Sequence, residues 1–138
     1  MSGQESKNGG EVFTYTPEKE RELISRTEQL ILDMKEERKH NLVRGIGTWA
    51  GVIFLFALVK AIGVRGEELN NAANAAMAIA GAVGMFLIVK PWWLANTAIR
   101  TTKNGLEEFK AHRYKGDYEN NFVGQAEAFM NSDRPFLR

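Results

Sequence analysis

The side chains able to do chemistry are few and scattered. His40 and His112 are the two histidines of the 138-residue chain, and neither has a second ligand at the spacing that metal sites use. Both read as solvated or interfacial residues in basic surroundings. Cysteine is absent, which excludes disulfides, thiolate metal ligands and thiol nucleophiles. Glu36-Glu37 and Glu107-Glu108 supply neighbouring carboxylates. An acid–base pair needs one such group in an apolar setting, where its pKa is pushed up. These four lie among charged residues and read as solvated helix faces. Gly45-Ile46-Gly47 lacks the preceding strand and the lysine of a phosphate-binding loop. No nucleophile has a base at hand. The expectation is a protein that is not an enzyme, with no catalytic residue, no metal and no cofactor.

The basic residues Lys110, Arg113 and Lys115 interleave with His112 and Tyr114, a composition suited to nucleic acid or to anionic headgroups. Their position after an apolar segment favours a membrane-proximal basic collar, so no nucleic-acid partner is expected.

Charge distribution is the informative feature. Overall the chain is 25% charged with net charge +1, values ordinary for a soluble protein. Yet between Gly45 and Val89 the ionisable residues are Lys60, Arg65, Glu67 and Glu68 alone. Residues 45–64 are long enough, at about 30 Å as a helix, to cross the hydrocarbon of a bilayer. Residues 72–89 form a second, slightly shorter segment that continues through Trp92 and Trp93. Buried helices of soluble bundles keep a polar stripe, and residues 53–59 and 75–89 keep none. About forty polar residues precede the first segment. A cleaved signal peptide carries its apolar core near the N-terminus, so an uncleaved span is expected.

The fold class is therefore all-α: an integral membrane helical hairpin of two transmembrane helices with amphipathic cytoplasmic extensions. Its expected parts are a disordered tail over 1–15, a cytoplasmic helix over 16–41 and a first span over 42–64. A non-cytoplasmic turn over 65–71, a second span over 72–95 and a cytoplasmic helical tail over 96–138 complete it. Arg26, Lys35, Arg38, Lys39 and Arg44 precede the first span, and Lys90, Arg100, Lys103 and Lys110 follow the second. That bias places both termini in the cytoplasm of a bacterial inner membrane, or in the equivalent compartment of an organelle. Arg44, Trp49, Lys60, Lys90, Trp92 and Trp93 are the expected interfacial anchors, with the three tryptophans at one level. Lys60 is near enough to its span end for the stem to snorkel, the alternatives being an ion or proton relay or a pair with a partner's carboxylate.

Spans associate through close backbone approach, which small residues allow. Gly47 and Gly51 form a Gly-x-x-x-Gly pair, and Ala72, Ala76, Ala80 and Gly84 recur four apart. These are the expected packing seam, within the hairpin or between protomers. Bulky Ile53, Phe54, Leu55, Phe56 and Leu87 suit a surface facing lipid or a larger partner.

In the flanks, Thr16-Pro17-Glu18 reads as a helix start, with threonine as cap, proline at the first position and acid in the first turn. Glu22 and Arg26 stand at ion-pair spacing. Leu23, Leu30, Ile31 and Met34 then form one apolar stripe, and Ile99, Leu106 and Phe109 form another that Asn104-Gly105 weakens. Both stripes are expected to bind a partner, or to pack on each other under a short helix over 118–130 presenting Phe122, Ala126, Phe129 and Met130. Pro91 is expected to kink the helix leaving the second span. The expected partners are the lipid bilayer and either other membrane subunits or a second copy of the chain. Functionally this suits an accessory subunit of a respiratory, secretion or transport complex. A holin-like, self-assembling, membrane-permeabilising protein is the alternative, and a small channel or transporter unit the third.

Overall fold

The cap expected at Thr16 forms: its Oγ1 accepts from the Lys19 N–H at 3.3 Å, and Pro17 opens the first helix. In the computed structural model, which describes residues 13–63, 66–133 and 135–136, helix α1 runs Pro17–Ala61 and α2 runs Glu67–Lys110. A π-helical turn, Glu119–Val123, leads into α3, Gly124–Met130. There is no strand among the described residues.

Gly45 and Gly47 do not interrupt α1. Each glycine costs a helix only about 1 kcal/mol, and the buried face continues through them without a change of period. Glycines do govern the turn between the long helices. Gly63 has φ +98° and stops α1, while Gly66, at φ +138°, occupies backbone space closed to other residues and starts α2. Helix α2 thus begins at Glu67, not at Ala72 as the hydropathy boundary suggested. Glu67 and Glu68 sit in its first turn, where the helix dipole favours acids. Val64 and Arg65 of the expected turn lie outside the described residues. Pro91 leaves α2 helical on both sides.

Helix α2 ends in a hydrogen-bonded cap that gives His112 a task. His112 stands at φ +55°, its N–H donates to the Phe109 carbonyl at 3.0 Å, and the Arg113 N–H donates to the Glu108 carbonyl at 2.8 Å. This is the Schellman arrangement, with a left-handed residue where glycine is usual.

The polar thirds of α1 and α2 pack together, and the C-terminal segment closes over them as a helical head. Leu23, Thr27, Leu30, Ile31 and Met34 of α1 are buried, as are Ala95, Ile99, Thr102, Leu106 and Phe109 of α2. Tyr118, Val123 and Phe136 cover them, with Phe122, Ala126 and Met130 packed alongside. Tyr118 is fully buried. Its ring stacks on Phe109 at 4.0 Å and on Phe122 at 5.0 Å, and Tyr114 meets it edge-on at 4.9 Å. Thr27 Oγ1 donates its hydrogen to the Leu23 carbonyl at 2.7 Å, so the Tyr118 hydroxyl is the donor in their 3.0 Å contact. The π turn lets one short segment present Tyr118, Phe122 and Val123 to the same core, because it widens the local period beyond that of an α-helix.

The expected Glu22–Arg26 pair is not the one made. Arg26 grips Glu127 through Nε at 3.0 Å and Nη2 at 2.7 and 2.8 Å, and so ties α3 to α1. Lys19 reaches Glu119 at 2.8 Å and Lys110 reaches Glu28 at 2.7 Å. These pairs are partly solvated and align the elements more than they stabilise them.

The disordered tail expected over 1–15 falls mainly outside the described residues, but Tyr15 is docked. Its hydroxyl donates to Asp117 Oδ1 at 2.9 Å, and its ring meets Phe109 edge-on at 5.8 Å. Asp117 also accepts from the Asn120 N–H at 3.0 Å, capping the terminal helical segment. These donors, the Asn120 N–H foremost, hold the carboxyl below its ordinary pKa. A depressed folded pKa contributes stability that is complete above the unfolded value, about 3.9. That contribution is lost as pH falls through the lower folded value. Near-UV circular dichroism of the head tyrosines is thus expected to show acid loss of the head below about pH 4. Asp117→Asn should flatten that profile, and an unchanged acid limb would remove Asp117 from the account.

Candidate functional site

Beyond the head the two long helices continue side by side as a shaft, and three contacts define their register. Arg38 donates to the Asn96 side-chain oxygen near the head. In mid-shaft the Trp49 indole lies against Gly84 so closely that a Cβ there would fall on the ring. Near the turn Lys60 Nζ donates to Asn74 Oδ1. From Asn41 on, the half-buried positions of α1 are Asn41, Leu42, Gly45, Trp49, Val52 and Phe56. Ala73, Met77, Ala80, Gly81, Gly84, Ile88 and Pro91 are those of α2. The spacing of three and four continues the stripe of the head, so one seam of near-heptad period runs the length of the hairpin.

This register sorts the residues expected to pack. Ala80 and Gly84 lie on the seam, whereas Gly47, Gly51 and Ala76 are exposed, with no atom within 4 Å of a Cβ built on either glycine. The reason is angular. Gly47 and Gly51 each follow a seam residue by two positions, about 200° round the helix. Residues four apart drift by about 40° per step, which carries Ala76 off a seam that steps by three and four. Phe56 departs from the lipid-facing group: it is half-buried and shares a cleft with Ala73 and Met77.

The anchors are separated by the same register. Arg44 and Lys90 are both exposed, and Lys90 Nζ sits 5.5 Å from the Phe86 ring centre. Trp92 and Trp93 are exposed beyond them. Trp49 lies opposite Gly84, eight residues short of Trp92 on α2, hence about 12 Å further along the shaft. The three tryptophans do not share one level. Lys60 is hydrogen-bonded across the hairpin, where Asn74 satisfies one of its donors.

The stripe expected to bind a partner is closed within the chain. Leu23, Leu30, Ile31, Met34, Ile99, Leu106 and Phe109 are all buried. The terminal segment reaches them because Gly105 leaves a notch. A Cβ at Gly105 would strike the Phe122 ring, so the residue that weakened the stripe in sequence is the dock for the segment that covers it. Tyr118 and Val123 outrank Phe129 as anchors, and Phe129 remains 42% exposed. A Gly at a stripe position facing an aromatic-rich terminal segment was the available signal.

No known family, curated protein or solved structure matches this chain. Among the described residues no three acidic or histidine side chains come together as a metal site. His40 is exposed, and His112 Nδ1 lies 3.7 Å from Glu20 on the surface. The prominent surface is the shaft itself. Ile53, Phe54, Leu55, Val59, Ile79, Val83, Phe86 and Leu87 all stand outward on it.

Proposed function

We propose that this is a non-enzymatic two-span membrane protein that serves as a structural or accessory subunit of a larger membrane assembly. Its head and both termini lie on the cytoplasmic side. The observation that carries the reading is the contrast between the two halves of the same helices. Each long helix contains an 18-residue stretch apolar enough to cross a bilayer, and none of either stretch is buried. The head of those helices has an ordinary closed core. In water so large an apolar surface drives aggregation. In lipid it is already in its preferred solvent, with the backbone groups of the spans paired inside the helices except at the turn and at the Leu87 carbonyl, which Pro91 leaves without a donor. Lysines and arginines crowd the head end of the shaft, which supports the orientation.

The outward Gly47–Gly51 edge favours a second reading, self-association. A small-residue edge admits a neighbouring helix closely, as a permeabilising or remodelling protein of the holin kind requires. Purification from its native membrane in mild detergent separates the two readings. Other subunits in fixed proportion support the first, and large homo-oligomers that lyse cells on induction support the second. For topology, Gly66→Cys and Ser132→Cys, made separately in sealed vesicles, are expected to label from opposite sides. Labelling of both from one side would sink the two-span arrangement.

A further inference from the structure

From mid-shaft toward the head, α1 and α2 border a groove of about 470 Å³. Its lining is largely apolar, with Val52 and Ala80 toward the turn, the exposed Val83 and Leu87 along its rim, and Ile88 and Pro91 toward the head, where Asn41 and Arg44 add polar groups; Trp49 lies between. No carboxylate lines it. Two of the polar residues carry unmet donors: Asn41 Nδ2 and Trp49 Nε1 are buried and have no acceptor among the described residues. The exposed Arg44 side chain likewise makes no ion pair or hydrogen bond among them. A buried N–H without an acceptor is costly and calls for a partner. These donors are also ordered by depth: Asn41 and Arg44 come first, and Trp49 follows over a turn further along α1. From Asn41 to Val52 the groove extends about 16 Å along the helix.

We propose that the groove holds one glycerophospholipid from the leaflet beside the head, an assignment that rests on the membrane reading above. A glycerophospholipid presents its acceptors in the same order as the donors. The phosphodiester comes outermost, at Arg44 and Asn41. The ester carbonyls follow, within reach of the Trp49 indole N–H after a small turn of the ring. One acyl chain then lies along Val83, Ala80 and Val52. Charge complementarity selects this occupant over a second copy of the chain: a copy inserted at the same depth has no acidic residue over 38–66 or 69–106, so it brings no carboxylate level with the unpaired guanidinium.

The test uses the full chain in mild detergent and native mass spectrometry, with dioleoyl phosphatidylglycerol as probe. Wild type is expected to retain one lipid per chain. Arg44→Gln with Asn41→Leu should weaken retention at least tenfold, and Trp49→Phe, which keeps the ring on Gly84, should weaken it several-fold. Lys103→Gln, in the head, should leave it unchanged. Oleic acid, which has no phosphodiester, and inorganic phosphate, which has no chain, should each fail to compete. Equal retention by the double variant overturns the assignment, as does displacement by phosphate alone or a lipid-free dimer at this face. Carbonate washing of membranes separates this result from failure of the parent reading. Chain released to the supernatant refutes membrane insertion, whereas chain in the pellet without a variant-sensitive lipid refutes only the groove assignment.

Discussion

Replacing Gly84 with leucine is expected to pry the two long helices apart in mid-shaft. Even a methyl group there would fall on the Trp49 ring. Overpacking of this kind costs about 1–3 kcal/mol in a well-packed interior, and the long seam on either side transmits the displacement. The geometry supplies its own reporter. A Cβ built on Gly45 stands 4.0 Å from the Cβ of Ile88, inside the range that a disulfide spans. The pair Gly45→Cys with Ile88→Cys should therefore oxidise readily within one chain, read as a loss of hydrogen mass and of free thiol. Adding Gly84→Leu should slow that oxidation severely, and adding Trp49→Ala as well should restore it, because the two sites share one contact. Undiminished oxidation in the Gly84→Leu background would mean that the Trp49–Gly84 contact does not set the seam.

The second large effect is expected at Tyr118. This side chain is fully buried, stacked on Phe109 and Phe122 and hydrogen-bonded to Thr27, so it joins α1, α2 and the terminal segment at one point. Tyr118→Ala should destabilise the head by about 3–5 kcal/mol, the usual cost of removing a large buried ring. Tyr118→Phe should cost only about 1 kcal/mol, since it removes one hydrogen bond and leaves the stack. Thermal unfolding followed in the near ultraviolet gives the two values. Protease sensitivity of the 112–117 connector gives an independent one, because the terminal segment cannot stay docked once its anchor is gone. If alanine and phenylalanine variants melt together, the ring stack is not what closes the head. Gly105→Ala acts on the same closure from the other side, through Phe122.

The two substitutions mark different degrees of legibility. Helix starts and stops are local events, so Thr16-Pro17 announced α1 correctly and the glycines near the turn separate the two helices. Apolar period is also local, which is why Leu23, Leu30, Ile31, Met34, Ile99, Leu106 and Phe109 could be picked out as one kind of surface. What covers that surface is a long-range matter. Tyr118 gains its importance from Thr27 and Phe109, and Arg26 chooses Glu127 over the nearby Glu22 only because α3 folds back onto α1. Nothing in the spacing of Glu22 and Arg26 forbids their pairing. The bidentate alternative is stronger because it presents both carboxylate oxygens to a planar fork.

Position gives the sparse polar side chains their tasks. His112 became a helix cap, since a left-handed residue was needed after α2 and histidine tolerates that conformation better than most. By itself the sequence determined the all-α class, the separation into a charged head and an apolar shaft, and the two segments of bilayer-spanning length. Each follows from composition and period along a single helix. Only the tertiary structure decided which glycine receives Trp49, which small residues turn outward, at what depth each tryptophan lies and where the groove opens. Those depend on the register between two helices. A one-residue slip of one helix rotates its contacts by about 100°, and that register is set jointly by the turn, the seam and the closed head.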